Sequence, residues 1–269
     1  MEERVPAIVT LTTDFGLQDP YAGQLRGAVL KGCPAATVVD LTHGVPPWDV
    51  VTAAVTIRTS FAFFPAGSVH LVVVDPGVGG RRPILAARGS GHLFVAPDNG
   101  ILSLLLIDRK LEAVHRVAHA DRAPTSASPT FHGRDLMAPV AAALAAGRPL
   151  EDLGPEVDPA ELTMVIVPAS VPGDNRLLGQ VQRIDHFGNV RTTIRTGPGL
   201  FDPHRFARAE IGGHRVERLH RTYTEAPAGA LLALVDSNGY LEIAANQASA
   251  AERLGCRPGD PVTVHLHRS

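Results

Sequence analysis

The chain has 269 residues, 45% hydrophobic and 19% charged, with a formal net charge of −2. That length exceeds one typical domain of roughly 100–200 residues and accommodates two, and the near-neutral charge argues against a nucleic-acid partner, which needs a concentrated basic surface. Cys33 and Cys256 lie far apart, with no metal-binding spacing and no disulfide framework, as expected in a reducing compartment.

The opening MEERVPAIVT is acidic and lacks the apolar core of a signal peptide, and no apolar run reaches about 18 residues. A cytoplasmic protein with no membrane partner is expected. AIVTLTTDFG, residues 7–16, is an apolar run ending in polar residues and glycine. Tyr21, Leu25, Ala28 and Val29 then fall at helical spacing, and Gly32 and Pro34 end that helix. ATVVDLTHGV is a second short strand, and Asp49 is placed to cap a helix over DVVTAAVTIRTSFAFF. VHLVVVD reads as a third, fully buried strand, and ILAARG and HLFVAPDNG as a fourth and fifth. ILSLLLID is too short to decide between helix and strand, and GRDLMAPVAAALAAG is an Ala-rich helix ending at Gly147. Alternating strands and helices predict an α/β N-terminal domain with a mostly parallel central sheet.

Near Pro168 the character changes. VPASVPGDNR carries two prolines, a glycine and no periodicity, and reads as a linker. Beyond it, LLGQVQRID, NVRTTI, ARAEIGG, HRVERLHRTY, ALLALVDS, YLEIAAN and PVTVHLHR are short alternating segments separated by Gly, Pro and Asn. They predict an all-β C-terminal barrel or sandwich of about 90 residues. The expected division is an α/β domain at 1–168, a linker at 169–177 and a β-barrel domain at 178–269.

Ligands of an open α/β sheet bind beyond the carboxyl ends of its strands. Asp14 in TLTTDFG, Asp40 in TVVDLTHG, Asp75 in VVVDPGVG, and Asp98 with Asn99 in APDNG all sit at such ends. One carboxylate there can simply cap a loop; several on one rim imply a polar cleft for a cation or a ribose. TFHGRD, residues 130–135, places His132 at the entrance of the Ala-rich helix. Asp14, Asp75, His132 and Asp135 are also possible hard-cation ligands, and HRVAH has histidines at i,i+4 spacing (His115, His119) but no glutamate to serve as a metalloprotease base. DPGVGGRR is neither a Walker sequence nor GxGxxG.

TLTTDFG, PPWDV, VVVDPGVGGRR, APDNG, TFHGRD, RIDHFGNVRTTI and DSNGYLEIAAN, in this order, resemble the S-adenosyl-L-methionine hydroxide adenosyltransferase family, the hydrolase branch of the fluorinase/chlorinase superfamily. The resemblance runs from about residue 7 to 266. It implies an α/β domain followed by a β-barrel, and a homotrimer with sites between subunits. The implied reaction converts S-adenosyl-L-methionine and water to adenosine and L-methionine without metal or other cofactor. By the same resemblance Asp75, Arg82 and His132 match the water-activating set, and Asp14 the carboxylate that binds the ribose hydroxyls. Trp48 matches an aromatic beside the ribose and methionine part. Asp185 and Asn189 match residues holding the methionine moiety and adenine region; Phe187 and Ser237 are pocket members, and Asn99 is a further substrate contact. Asn238 stands where halogenating relatives carry arginine, which points to a backbone contact with adenine.

The chemistry is coherent. The sulfonium of S-adenosyl-L-methionine is a good leaving group, but making hydroxide from water of pKa 15.7 at pH 7 costs about 12 kcal/mol. Asp75 can orient a water, Arg82 can meet developing negative charge, and His132 can relay a proton or fix the water. Two alternatives are a halogenase, against which a carboxylate at position 75 speaks, and a non-catalytic adenosine- or S-adenosyl-L-methionine-binding protein, which has no need of a water-activating set.

Overall fold

The computed structural model describes residues 7–118, 127–166, 168–173, 175–197 and 199–267. The chain divides into two units, Met1–Ile166 and Val167–Ser269. In the first, β1 (Ile8–Thr13) is followed by α1 (Tyr21–Gly32), β2 (Thr37–Thr42), α2 (Val50–Ser60) and β3 (Val69–Val73). Then come β4 (Ile84–Gly89), β5 (His92–Pro97), α3 (Ser103–Ile107), β6 (Ala113–Arg116) and α4 (Ala138–Ala145). α4 is entered through a π-helical turn, Gly133–Met137. Asp49 caps α2 as expected, its Oδ1 accepting from Thr52 N at 2.8 Å.

The sheet order is β2-β1-β3-β5-β4-β6. β1 pairs in parallel with β2 and β3, and β3 with β5, whereas β4 runs antiparallel to β5 and to β6. The sheet is therefore mixed, which corrects the expectation of a mostly parallel one. The cause is local. Only Ser90 and Gly91 separate β4 from β5, both with positive φ (50° and 78°), the backbone of a two-residue hairpin turn that reverses the chain.

β3 shows why the middle of the sheet reads as continuous hydrophobicity. Val69, Leu71 and Val73 join a core with Leu25 and Val29 of α1 and Ala138 and Ala141 of α4. Val72 and Val74 join a second core with Ala53 and Ile57 of α2 and Leu105 of α3. The period-2 alternation of a strand thus supplies two layers of helices from one apolar run.

On the second face the alternation delivers a polar residue. His70 is fully buried; its Nδ1 is 2.8 Å from Thr10 Oγ1 and its Nε2 3.2 Å from His92 Nδ1. Burial, reinforced by His92, pushes His70 down to about 3. The unfolded chain, with an ordinary histidine near 6.5, binds a proton that the folded chain refuses between these values. Stability from this group is complete at pH 7 and falls as pH drops through the window from 6.5 to 3. Thermal unfolding should show the protein about 3 kcal/mol less stable at pH 4 than at pH 7 through this group. A His70→Asn variant should lose most of that acid sensitivity, and an unchanged acid limb would remove His70 as its source.

The second unit has an all-antiparallel sheet: β7 (Val171–Gly173), β8 (Arg176–Ile184), β9 (Val190–Arg195), β10 (Phe206–Ile211), β11 (His214–Val216), β12 (Leu231–Val235), β13 (Tyr240–Ala245) and β14 (Pro261–Leu266), with a short α-helix, α5 (Ala250–Leu254), before the last strand. The order is β11-β10-β14-β8-β9-β13-β12, with β7 added beside β8. β7 falls within the segment expected as a linker, of which Asp174 lies outside the described residues. A bridge between Leu219, just past β11, and Ala233 of β12 brings the two edge strands together and nearly closes the sheet into a barrel. The alternating segment HRVERLHRTY is thus a three-residue strand followed by this bridging segment. Leu177, Val181, Ile194, Phe206, Leu241 and Val264 fill the interior. Among the described residues no helix is long and apolar enough to cross a membrane.

Candidate active site

The glycine-rich turn after β3 carries Asp75, whose side chain is 5% exposed. Arg82 Nε donates to Asp75 Oδ1 at 2.9 Å and to Oδ2 at 3.0 Å, and Arg82 Nη2 also donates to Oδ2. Arg82 Nη2 lies 3.0 Å from His132 Nδ1. A guanidinium has no acceptor, so His132 Nδ1 must accept, which leaves the proton of the neutral ring on Nε2. Burial, with the Arg82 charge, pushes His132 below its ordinary value, partly offset by Asp75 and Asp135. The ring is therefore neutral at pH 7.

Fifty residues of sequence separate Arg82 from His132, and two glycines bring them together. Gly79 has φ +80, and a Cβ there would lie 2.7 Å from Pro129 O, so the turn after Asp75 presses against the segment leading to His132. A Cβ on Gly133 would lie 2.7 Å from Val73 Cγ1, so the π-helical turn rests on the end of β3. Asp135 holds the loop from inside, accepting from Ser128 N at 2.8 Å and from Arg134. Phe15, Tyr21 and Phe131 pack edge to face with centroids 5.6–6.1 Å apart, joining the turn after Asp14 to the residue before His132.

Asp14 follows β1, beside β3 on the same rim, because Thr13 pairs with Val73. Asp14 Oδ2 accepts from Trp48 N at 2.9 Å. Trp48 is 73% exposed and sits at φ +65, a strained setting for a bulky residue and one that recurs at functional sites. Asn99 Nδ2 donates to Val74 O at 2.9 Å, which ties the end of β5 to the residue before Asp75. Asp40 pairs with Arg26 and stands 3.2 Å from His43 Nε2.

The remaining expected residues lie in the second unit. Asp185 Oδ1 accepts from Phe187 N at 2.9 Å and Asn189 N at 2.8 Å, and its Oδ2 from Asn189 Nδ2 at 3.0 Å. This loop forms one side of a cavity of about 580 Å³. Asp185, Phe187 and Asn189 line it with Tyr223, Gln247 and Ser249. Ser237 and Asn238 do not line this cavity; they occupy the turn between β12 and β13, where Asp236 Oδ1 accepts from Asn238 N and Tyr240 N.

Tyr223, Gln247 and Ser249 were not singled out from the sequence. Gln247 and Ser249 directly follow DSNGYLEIAAN, and positive φ at Gln247 (56°) marks the bend, which no residue type there announces. Tyr223 O–H donates to Glu242 Oε1 at 2.9 Å. Desolvation, then the Glu242 bond, pushes Tyr223 up to about 12, and burial raises Glu242.

An ion pair that shares its guanidinium with an imidazole thus stands just past the carboxyl end of β3, a central strand of the first sheet. Two family models match the chain: the SAM hydroxide adenosyltransferase N-terminal domain over residues 9–154 and the SAM hydroxide adenosyltransferase C-terminal domain over residues 179–263. The chain belongs to this family. It is 39% identical to the (R)-S-adenosyl-L-methionine hydrolase of Salinispora arenicola over 95% of its own length and 97% of that protein. The fluorinase of Actinopolyspora mzabensis is more distant, 30% identical over 96% of each chain. The crystal structure of a conserved protein from Thermotoga maritima matches with a TM-score of 0.87 at 32% identity, covering 96% of this chain and 99% of that one.

Proposed function

We propose that the protein hydrolyses S-adenosyl-L-methionine, in the (R) form for which its Salinispora relative is named, to adenosine and L-methionine by in-line attack of water at C5′. The observation that carries this reading is the chain of contacts from Asp75 through Arg82 to His132. As the O–C5′ bond forms, the C5′–S bond breaks and its electron pair leaves on sulfur, giving the neutral thioether of methionine. Positive charge passes to the attacking oxygen, which then loses a proton. Asp75 is the group in this set with acceptor capacity to take it. His132 has its Nδ1 committed to Arg82 and offers only the Nε2–H, so it orients the water as a donor. Free hydroxide is not needed, because a carboxylate beside the oxygen stabilises charge as it develops. The family resemblance implies no metal or other cofactor for this step.

Substrate binding divides along the same lines. Asp14, steadied by Trp48, takes the ribose hydroxyls. The cavity of the second unit takes adenine, with Phe187 and Tyr223 as aromatic walls and Asn189 and Gln247 as amides for its polar edge; Asp185 fixes the Asn189 loop and serves the methionine part. Asn99 acts by holding the strand end beside Asp75. The part given to Ser237 and Asn238 rests on the resemblance alone, as does a homotrimer with sites between subunits. Light scattering on the purified protein should give three chains per particle, and a stable monomer with full activity would end that part of the reading.

Halide attack is disfavoured by position 75. A carboxylate about 4 Å from a halide repels it by roughly 4 kcal/mol at an effective dielectric near 20. In H₂¹⁸O, label should enter the 5′-hydroxyl of adenosine and not methionine. Label in methionine, or a 5′-haloadenosine in the presence of chloride, would overturn the proposal.

A further inference from the structure

We infer that His43 is a positioning residue for Asp14, acting through the hydroxyl of Thr13; this rests on the reading of Asp14 as the ribose-binding carboxylate. His43 follows β2 and is 4% exposed, and the chemistry proposed above does not use it. Its Nδ1 is 2.8 Å from Thr13 Oγ1. Its Nε2 is 3.2 Å from Asp40 Oδ1, though off the line of a full hydrogen bond. Asp40 is in turn paired with Arg26 of α1. Aspartate, histidine and hydroxyl thus stand in the order of a nucleophile-activating relay. Thr13 is fully buried, however, so its oxygen cannot meet a substrate.

The donor and acceptor inventory gives the relay a different task. A carboxylate faces Nε2, so Nε2 carries hydrogen, and in the neutral ring Nδ1 is then an acceptor. Thr13 gives its one hydroxyl hydrogen to Nδ1. Its oxygen is left to accept, and Phe15 N–H, 3.2 Å away, fills that role. The imidazole therefore fixes the hydroxyl rotor, and the rotor fixes the amide that follows Asp14. Gly16 N–H donates to His43 O at 2.8 Å and Val45 N–H to Thr13 O at 3.3 Å, so the two loops are also joined through their backbones. From the other flank Trp48 N–H holds Asp14 Oδ2 at 2.9 Å. Asp14 is gripped on both sides by residues of the 43–48 segment, and His43 is the side chain that sets one grip.

Calorimetric affinities for adenosine and for 2′,3′-dideoxyadenosine, which lacks the hydroxyls assigned to Asp14, test this. Thr13→Val keeps the side-chain shape and removes both hydroxyl contacts. His43→Gln places its amide near the Nε2 position and abandons Thr13, whereas His43→Asn reaches the Nδ1 position and keeps it. Thr13→Val and His43→Gln should each weaken adenosine binding about tenfold and dideoxyadenosine binding less than about twofold, while His43→Asn keeps adenosine within about threefold of wild type. In an Asp14→Ala background Thr13→Val should cost nothing further. Equal weakening of both nucleosides, or full adenosine affinity in both Thr13→Val and His43→Gln, would overturn the role of His43 while leaving Asp14 as the ribose ligand. Undiminished adenosine binding by Asp14→Ala would instead overturn the ribose assignment, and the role of His43 with it.

Discussion

Asp75→Asn should lower kcat by about 10²- to 10³-fold while leaving KM within about threefold. The substitution keeps the shape of the side chain and removes the charge. In the ground state the substrate already carries its positive charge on sulfur, so the loss is felt when that charge moves to the attacking oxygen. That is the pattern of an interaction made mainly in the transition state. The amide has a second effect: Arg82 donates to both Asp75 oxygens, and an NH₂ group in place of one oxygen would set donor against donor. The Arg82 side chain would turn from its present line and loosen the contact with His132 Nδ1. Steady-state kinetics with methionine release as the readout decides the matter. Wild-type kcat in Asp75→Asn would mean that the proton goes elsewhere, and a rise in KM at constant kcat would make Asp75 a binding group.

From the residues alone the sequence offers Asp14 and Asp75 at the ends of apolar runs and His132 at a helix entrance, whereas the roles of Arg82, Trp48, Asp185 and Asn189 come from the family resemblance. Asp75 and Arg82 sit seven residues apart across a turn whose glycines announce it, and a carboxylate at the end of an apolar run is conspicuous. Asp185 and Asn189 close a loop within five residues, but the resemblance and not that spacing singles them out. The Ser90–Gly91 pair between β4 and β5 is visible in the sequence, and it is what makes the sheet mixed. Two short strands flanked by a two-residue turn specify a hairpin whatever the helices around them imply. β6 had little to show, since four residues with His115 and Arg116 among them carry no clear period. Contacts that depend on the folded sheet were out of reach. Thr13 and His43 are thirty residues apart and meet only because β1 and β2 pair in parallel. Tyr223 enters the cavity of the second unit from a single 3-10 turn, Tyr223–Glu225, between β11 and β12, too short for any periodicity to mark which side chain turns inward.

Arg82→Leu should both abolish activity and destabilise the protein, and the two losses should separate in a double variant. The side chains of Asp75 and Arg82 are 5% and 12% exposed. Removing the guanidinium leaves a carboxylate out of water with no counter-charge, a change that typically costs about 3–5 kcal/mol. For a protein of this size that corresponds to a fall in Tm of roughly 6–15 °C. The His132 Nδ1 acceptor loses its donor in the same step. Asp75→Val combined with Arg82→Leu removes the stranded charge and fills its place with apolar volume. The double variant should recover most of the lost stability, because a buried ion pair replaced as a unit often costs little. It should recover no activity, because the carboxylate proposed to take the proton is gone. Thermal unfolding and turnover measured on the two single variants and the double variant complete the cycle. A double variant as unstable as Arg82→Leu would mean that the guanidinium braces the turn through contacts other than Asp75. A stable Arg82→Leu protein would mean that Asp75 is not held as a buried charge at all. Recovery of stability without recovery of rate would show that this ion pair is kept at the end of β3 for its chemistry, at a cost that an apolar pair would have spared the fold.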